Sequence, residues 1–186
     1  MLFLSDSQIM SNNSNPQRSK ARAALIASFN ELVLVKPYAD FHISDIIKRA
    51  DVSRSTFYEH FRSKDDILKL CLTDVLGPLA RAGIQEGSHE HLTMILEHFV
   101  EFEQQTRVYL SGPASVVVID RLAELIEPLL PKEQRESGSV SVGLLAMQIA
   151  SSTIGLISSW LQQESREPAS RIAAHLERTA GALIQC

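Results

Sequence analysis

The run Ile43-Ser44-Asp45-Ile46-Ile47-Lys48-Arg49-Ala50-Asp51-Val52-Ser53-Arg54-Ser55-Thr56-Phe57-Tyr58-Glu59-His60-Phe61 decides how this chain is read. Ile43, Ile46, Ile47 and Ala50 recur at helical spacing, which predicts a short helix with Ser44 as its N-cap. Asp51 follows where a tight reversal needs a left-handed φ, and Asp adopts that conformation more readily than most non-glycine residues. Val52 is expected to plug the angle between two helices, and Ser53 to cap the second, over 54–61. In that second helix Phe57 and Phe61 stand four apart and turn inward, toward Leu25 and Phe29. At about 100° per residue, Arg54, Ser55 and Tyr58 are then left on an adjoining outward arc. Two short helices around a sharp turn, with apolar anchors behind and hydrogen-bonding side chains in front, are what a helix needs to lie in a major groove.

Working outward, residues 1–17 are rich in Ser, Asn and Gln and read as a mobile arm. From Ser19, Leu25, Phe29, Leu32 and Val33 form one helical stripe that Pro37 stops. Ser63-Lys64-Asp65-Asp66 resembles a capping box and opens a further helix through Leu68, Leu72 and Leu79. Beyond Gly87 a stripe of Leu92, Leu96, Phe99 and Val100 runs on to a break near Gly112-Pro113. Further helices are expected over 116–130, 140–163 and 169–184, with a polar connection over 132–139. No stretch shows strand alternation. The expected fold is therefore all-α, with an arm at 1–17, a helix-turn-helix domain at 18–66 and a larger helical domain at 67–186.

The bulk numbers fit a globular protein: 186 residues, 45% hydrophobic and 22% charged. The formal net charge of −4 hides an uneven distribution. Residues 16–64 hold nine Lys/Arg against five Asp/Glu, so the excess of acid lies in the rest of the chain. A basic head on an acidic body suits phosphate at one end only; chance unevenness is the plainer alternative. Cys71 and Cys186 are the only cysteines, so no disulfide framework is expected and the cytoplasm is the expected compartment. The start lacks the basic n-region of a signal peptide. The apolar stretch 140–161 is interrupted by Ser, Gly, Gln and Thr, so it reads as a buried helix of a soluble protein.

From Ser44 to Leu68, with Phe57-Tyr58-Glu59-His60-Phe61 followed by Ser63-Lys64, the chain resembles the DNA-binding segment of the TetR/AcrR regulators. The resemblance covers residues 18–68; beyond them only length and helix count agree. It implies a homodimer with a three-helix head that binds double-stranded DNA, and a helical body in which an inducer commonly binds. Carried over by position, the family's base-facing sites fall on Arg54, Ser55 and Tyr58. Its phosphate-facing sites fall on Ser44, Thr56, His60 and Lys64. The chain departs from the family at Asp51, where Gly is usual, and at Pro37-Tyr38, where Gly precedes the aromatic.

Each of these positions has a plainer reading. Tyr58 completes a core only if Phe57 and Phe61 leave room, and His60 is either a phosphate contact or a buried histidine. Lys64 at a helix start opposes the macrodipole, so a phosphate partner is expected; otherwise it is a solvated lysine. Arg18, Lys20 and Arg22 form either a basic arm on DNA or a soluble helix start. His89-Glu90-His91 with His98 invites a metal, but residues two apart on a helix do not share a face. No nucleophile elbow, phosphate-cradling Gly loop or dinucleotide turn is present, so no enzyme activity, metal or cofactor is expected.

Two further surfaces are proposed by the sequence. Gly143, Ala146, Ala150 and Ile154 would meet Ile172, Leu176 and Ala180 in a four-helix dimer interface, unless they pack only within one chain. Leu96, Phe99, Phe102, Tyr109, Val117, Leu122 and Trp160 would line an apolar effector pocket, or serve simply as core. The functional expectation is an effector-responsive repressor bound as a homodimer to a palindromic operator. The alternative is a regulator-like module that acts through a partner protein.

Overall fold

The computed structural model describes residues 16–84, 89–137 and 140–185, and among them every regular element is helical. The elements are α1 (Pro16–Val35), α2 (Ile43–Ala50), α3 (Arg54–His60), α4 (Lys64–Ile84), α5 (His89–Glu101), α6 (Glu103–Tyr109), α7 (Gly112–Ile126), a 3₁₀ turn (Glu127–Leu129), α8 (Lys132–Ser137), α9 (Val142–Leu161) and α10 (Ala169–Gln185). Most of the expected arm, like Gly87 and Cys186, lies outside the described residues.

The first three helices and the start of α4 form the head, and their ends follow local chemistry. Pro16 begins α1 earlier than the Ser19 expected, because a first-turn proline sacrifices no hydrogen bond. The expected stripe of Leu25, Phe29, Leu32 and Val33 is buried. The N-cap of α2 is His42 rather than Ser44: the Asp45 carboxylate accepts from the His42 backbone N–H at 2.7 Å, which shifts the start by two residues. Asp51 ends α2 at φ 52° and ψ 48°, the left-handed turn its position called for, with its N–H on the Ile47 carbonyl. Ser53 caps α3, its Oγ accepting from the Thr56 N–H at 3.1 Å. Ser63 and Asp66 form a true capping box on α4, with bonds of 3.1 and 3.2 Å in the two directions.

In the body, α7 lies between α4 and α9, while α5 packs along α10 and touches α4. Helix α4 thus belongs to both halves. Its Cys71 thiol reaches Asn30 on α1 at 3.5 Å, and burial pushes that thiol up to about 12. Lys69 on α4 and Arg121 on α7 both bind Glu124. At the far end, Arg107 and Arg166 donate to the terminal α9 carbonyl of Leu161, and Glu103 pairs with both guanidiniums. Helix α9 is long and apolar enough to cross a membrane, yet eight of its residues are buried within this fold.

Several expectations are corrected here. The stripe after Gly87 is two helices broken at Phe102, whose carbonyl accepts the Thr106 hydroxyl. Pro113 sits in the first turn of α7, so the helix expected from 116 begins at Gly112, which takes φ 54°. The polar connection after Pro131 contains the short helix α8.

The dimer residues are also relocated. Ala146, Ala150, Ile154, Ile172, Leu176 and Ala180 are buried within the single chain, and of the seven only Gly143 is exposed. Their small side chains let α9 and α10 approach neighbours of the same molecule. The effector residues fare similarly. Leu96, Phe99, Tyr109, Val117, Leu122 and Trp160 are core, Phe102 is half-buried, and the Trp160 indole N–H is taken by the Glu167 carbonyl at 2.8 Å. Leu122 lines a void of about 10 Å³ between α4, α5, α7, α9 and α10.

Candidate nucleic-acid interface

The geometry of α3 follows from two aromatic anchors. Phe57 is wholly buried and Phe61 nearly so, their ring centroids 6.1 Å apart, in one core with Leu25, Phe29 and Ile46. With that side held down, Arg54, Ser55 and Tyr58 are all exposed on the other. Tyr58 is 50% exposed, and its ring stands edge-on to Phe57 at 5.4 Å, interplanar angle 85°. The packed neighbour limits the rotamers of Tyr58 and leaves its hydroxyl outward.

Ser53 organises the start of the helix. Besides capping Thr56, its Oγ shares hydrogen bonds with Ser55 Oγ at 2.7 Å and Thr56 Oγ1 at 2.8 Å. A hydroxyl both donates and accepts, so Ser55 is pre-oriented and still has bonding capacity for a partner. Ser44, another of the expected phosphate sites, is exposed in the first turn of α2 beside the helix N-terminus, where N–H groups face outward.

Lys64, read as a phosphate contact or else a solvated lysine, has its ammonium turned into the head. Its Nζ donates to the carbonyls of Tyr38 and Phe41, at 2.8 Å for the latter, and lies 4.2 and 4.9 Å from the centroids of their rings. Partial burial holds its pKa below the usual lysine range, with Asp65 and Asp40 opposing. Two of the three ammonium donors are therefore engaged inside the head. The Tyr38 hydroxyl, in turn, bonds Asp65, and burial followed by that bond drives its pKa upward. Together these contacts clamp the α1–α2 loop onto the start of α4. The sequence missed this clamp because its carbonyls belong to a loop 23 and 26 residues away.

Helix α1 supplies a second feature that spacing did not disclose. Arg18 Nη2 donates to the Glu59 carbonyl at 3.5 Å, and the Arg22 guanidinium lies 5.8 Å from the Phe61 centroid. Both cations thus sit at the C-terminal end of α3, where they complement its dipole. His60 lies among them, with Nε2 buried and without a hydrogen-bond partner among the described residues. Burial, then Arg18, hold its imidazole below the usual range and so favour the neutral ring. Lys20, Lys48, Arg54 and Arg62 are exposed around this surface. The histidines of the body make no such cluster: His89 faces Glu177 at 3.4 Å, and His98 stacks by Phe102 at 4.7 Å.

A three-helix head with a tight left-handed turn, a propped short helix and a continuous helix into the body is the architecture of a helix-turn-helix domain. Residues 26–71 match the family model for the N-terminal domain of the bacterial regulatory proteins of the tetR family. The HTH-type transcriptional regulator EthR of Mycolicibacterium smegmatis is 35% identical over 75 residues, 40% of this chain and 34% of that protein. The matched segment thus spans about a third of that relative's length. A TetR transcriptional regulator from Streptococcus agalactiae superposes with a TM-score of 0.54 at 24% identity, over 88% of this chain and 95% of its own. A TetR-family protein from Syntrophomonas wolfei superposes with a TM-score of 0.54 at 20% identity, over 91% and 97% of the two chains. These two likenesses extend the shared fold beyond the head into the body. Residues 26–71 thus match the N-terminal domain of the tetR family, and beyond them the likeness to those regulators is one of fold.

Proposed function

We propose that this protein is a cytoplasmic, effector-responsive repressor that binds a palindromic operator in double-stranded DNA as a homodimer. One observation carries the reading: Phe57 and Phe61 are buried behind an exposed arc of Arg54, Ser55 and Tyr58. Arg54 opens α3 and can meet guanine O6 and N7 with two parallel bonds. Ser55 and Tyr58 add hydroxyls beside it. Ser44, Thr56 and His60 flank the arc as phosphate contacts, and the remaining donor hydrogen of Lys64 contributes at most one more.

A second copy is proposed to pack on the outer faces of α9 and α10. Leu144, 63% exposed, continues through Gln148, Ser151 and Gly155 on α9, and His175, Arg178 and Ala182 are exposed on α10. A two-fold axis through this face presents two α3 helices to half-sites about 34–36 Å apart. A modest change in the body then misaligns one of them, which is how an effector would release DNA. Genome-wide mapping of bound DNA, followed by gel shifts on the recovered sequences, tests the reading. A recurring inverted repeat supports it. Failure to prefer any promoter fragment over random DNA at low salt sinks it.

A further inference from the structure

His60 closes α3, and its half-buried ring has Nε2 buried with no hydrogen-bond partner among the described residues. The ring centroid stands 6.3 Å from that of Phe61. From α1 it faces the guanidiniums of Arg18 and Arg22, and from α3 the carboxylate of Glu59; among the described residues α2 and α4 bring no charged group to bear on it. Two cations against one anion make a poor place for a third cation, and an N–H turned inward there finds no acceptor. The neutral ring therefore keeps its proton on Nδ1 and leaves Nε2 bare. Because Nε2 is buried, Nδ1 is the nitrogen through which an outside partner is met.

A DNA phosphate on Nδ1 changes that balance. The neutral ring gives it one N–H bond, and the protonated ring gives the same bond plus a full positive charge. The phosphate thus opposes burial and Arg18, which hold the ring of the free head below the usual imidazole range. Contact also covers more of the ring, which favours the neutral form. A whole opposite charge at hydrogen-bond distance outweighs that further covering, since the ring is already half-buried.

We propose that His60 takes up a proton when the head binds duplex DNA, so that DNA affinity rises as the medium acidifies. The proposal rests on the DNA-binding reading above, with His60 as a phosphate contact. At high pH the ring is neutral in both states, and this group leaves affinity independent of pH. As pH falls, the ring of the complex is protonated before that of the free head, and affinity climbs; once both are protonated it levels off. Linkage is reciprocal, so DNA raises the proton affinity of His60 by the factor by which the proton raises affinity for DNA. One ring then answers acid in two directions. The fold loses stability, because the unfolded chain binds the proton more readily, while the grip on DNA tightens.

The test uses the full-length protein and a fluorescein-labelled, random-sequence duplex of about 20 base pairs. Phosphate contacts carry non-specific binding, so no operator is needed. Affinity is measured by anisotropy at pH 8 and pH 6, at constant low salt, for the wild type and His60→Asn. Asn places an N–H near the position of Nδ1 and does not titrate. The wild type should tighten at least about threefold more than His60→Asn between the two pH values, the effect of one screened opposite charge. Other titrating groups, His42 included, cancel in that comparison. In proton NMR, the His60 Cε1–H signal is the one missing from His60→Asn, and its titration midpoint should be higher with duplex bound than without. A wild-type gain no larger than that of His60→Asn overturns the proposal, as does a midpoint that DNA leaves unmoved or lowers. Absence of duplex binding at both pH values sinks the DNA-binding reading and the proposal together, whereas pH-independent binding removes the proposal alone.

Discussion

Replacing Lys64 by Met separates an internal clamp from a DNA contact. Met keeps most of the aliphatic stem and removes the ammonium, along with its bonds to the Tyr38 and Phe41 carbonyls and its position over both rings. Charge-assisted hydrogen bonds are worth about 1.5–3 kcal/mol each in full. Lys64 is only partly buried, so solvent replaces much of that, and about 1 kcal/mol per bond is a fair discount. Each ring contact adds about 0.5 kcal/mol at such exposure, while Met regains some burial. The net loss is about 2 kcal/mol, which lowers Tm by about 4–8 °C in a chain of this size. Urea unfolding followed by circular dichroism measures the loss, and a salt series of operator affinities measures the DNA contribution. A lysine whose only partner was phosphate would leave stability unchanged and lower the salt slope by about 1 per subunit. Wild-type stability in the Met variant therefore refutes the clamp.

Arg54→Ala should cost about 1–3 kcal/mol at one symmetric operator position and relax preference there, as read from an operator mutation series; a uniform loss across all sequences would shift base reading to Ser55 and Tyr58. Asp51→Gly should stabilise by about 0.5–1 kcal/mol, because φ of 52° costs glycine nothing, and a lower urea midpoint would contradict the turn geometry. Ala150→Glu should unfold the chain rather than yield folded monomers, since that site is buried within one protomer, whereas Leu144→Arg should give folded monomers in sedimentation. His60 is held neutral, with its folded pKa below the ordinary 6.5, so the unfolded chain binds more protons in that interval. Its contribution is complete above pH 6.5 and falls as pH drops toward the folded pKa. His60→Asn should flatten stability over that window, and an unaltered pH profile would remove His60 from the account.

What the sequence by itself determined is local. The spacing of Phe57 and Phe61, the caps at Ser53 and Ser63 and the turn at Asp51 each depend on residues within about one helical turn, and all are realised as read. Even the one misplaced cap, Ser44 for His42, is a two-residue competition between neighbouring groups, won by the Asp45 carboxylate. The outward arc of Arg54, Ser55 and Tyr58 was legible for the same reason, because helical periodicity names the exposed side once the buried one is known. Tertiary structure decided everything that depends on which neighbour an apolar face meets. Ala146 and Ala150 read equally as a contact with a second copy or with the same chain, and only the folded body placed them inside one protomer. Likewise Lys64 read as a phosphate contact or a solvated lysine until the loop carbonyls of Tyr38 and Phe41 were brought to it. Packing partners and voids arise from side chains distant in sequence, and no local pattern encodes the gap left between α9 and α10.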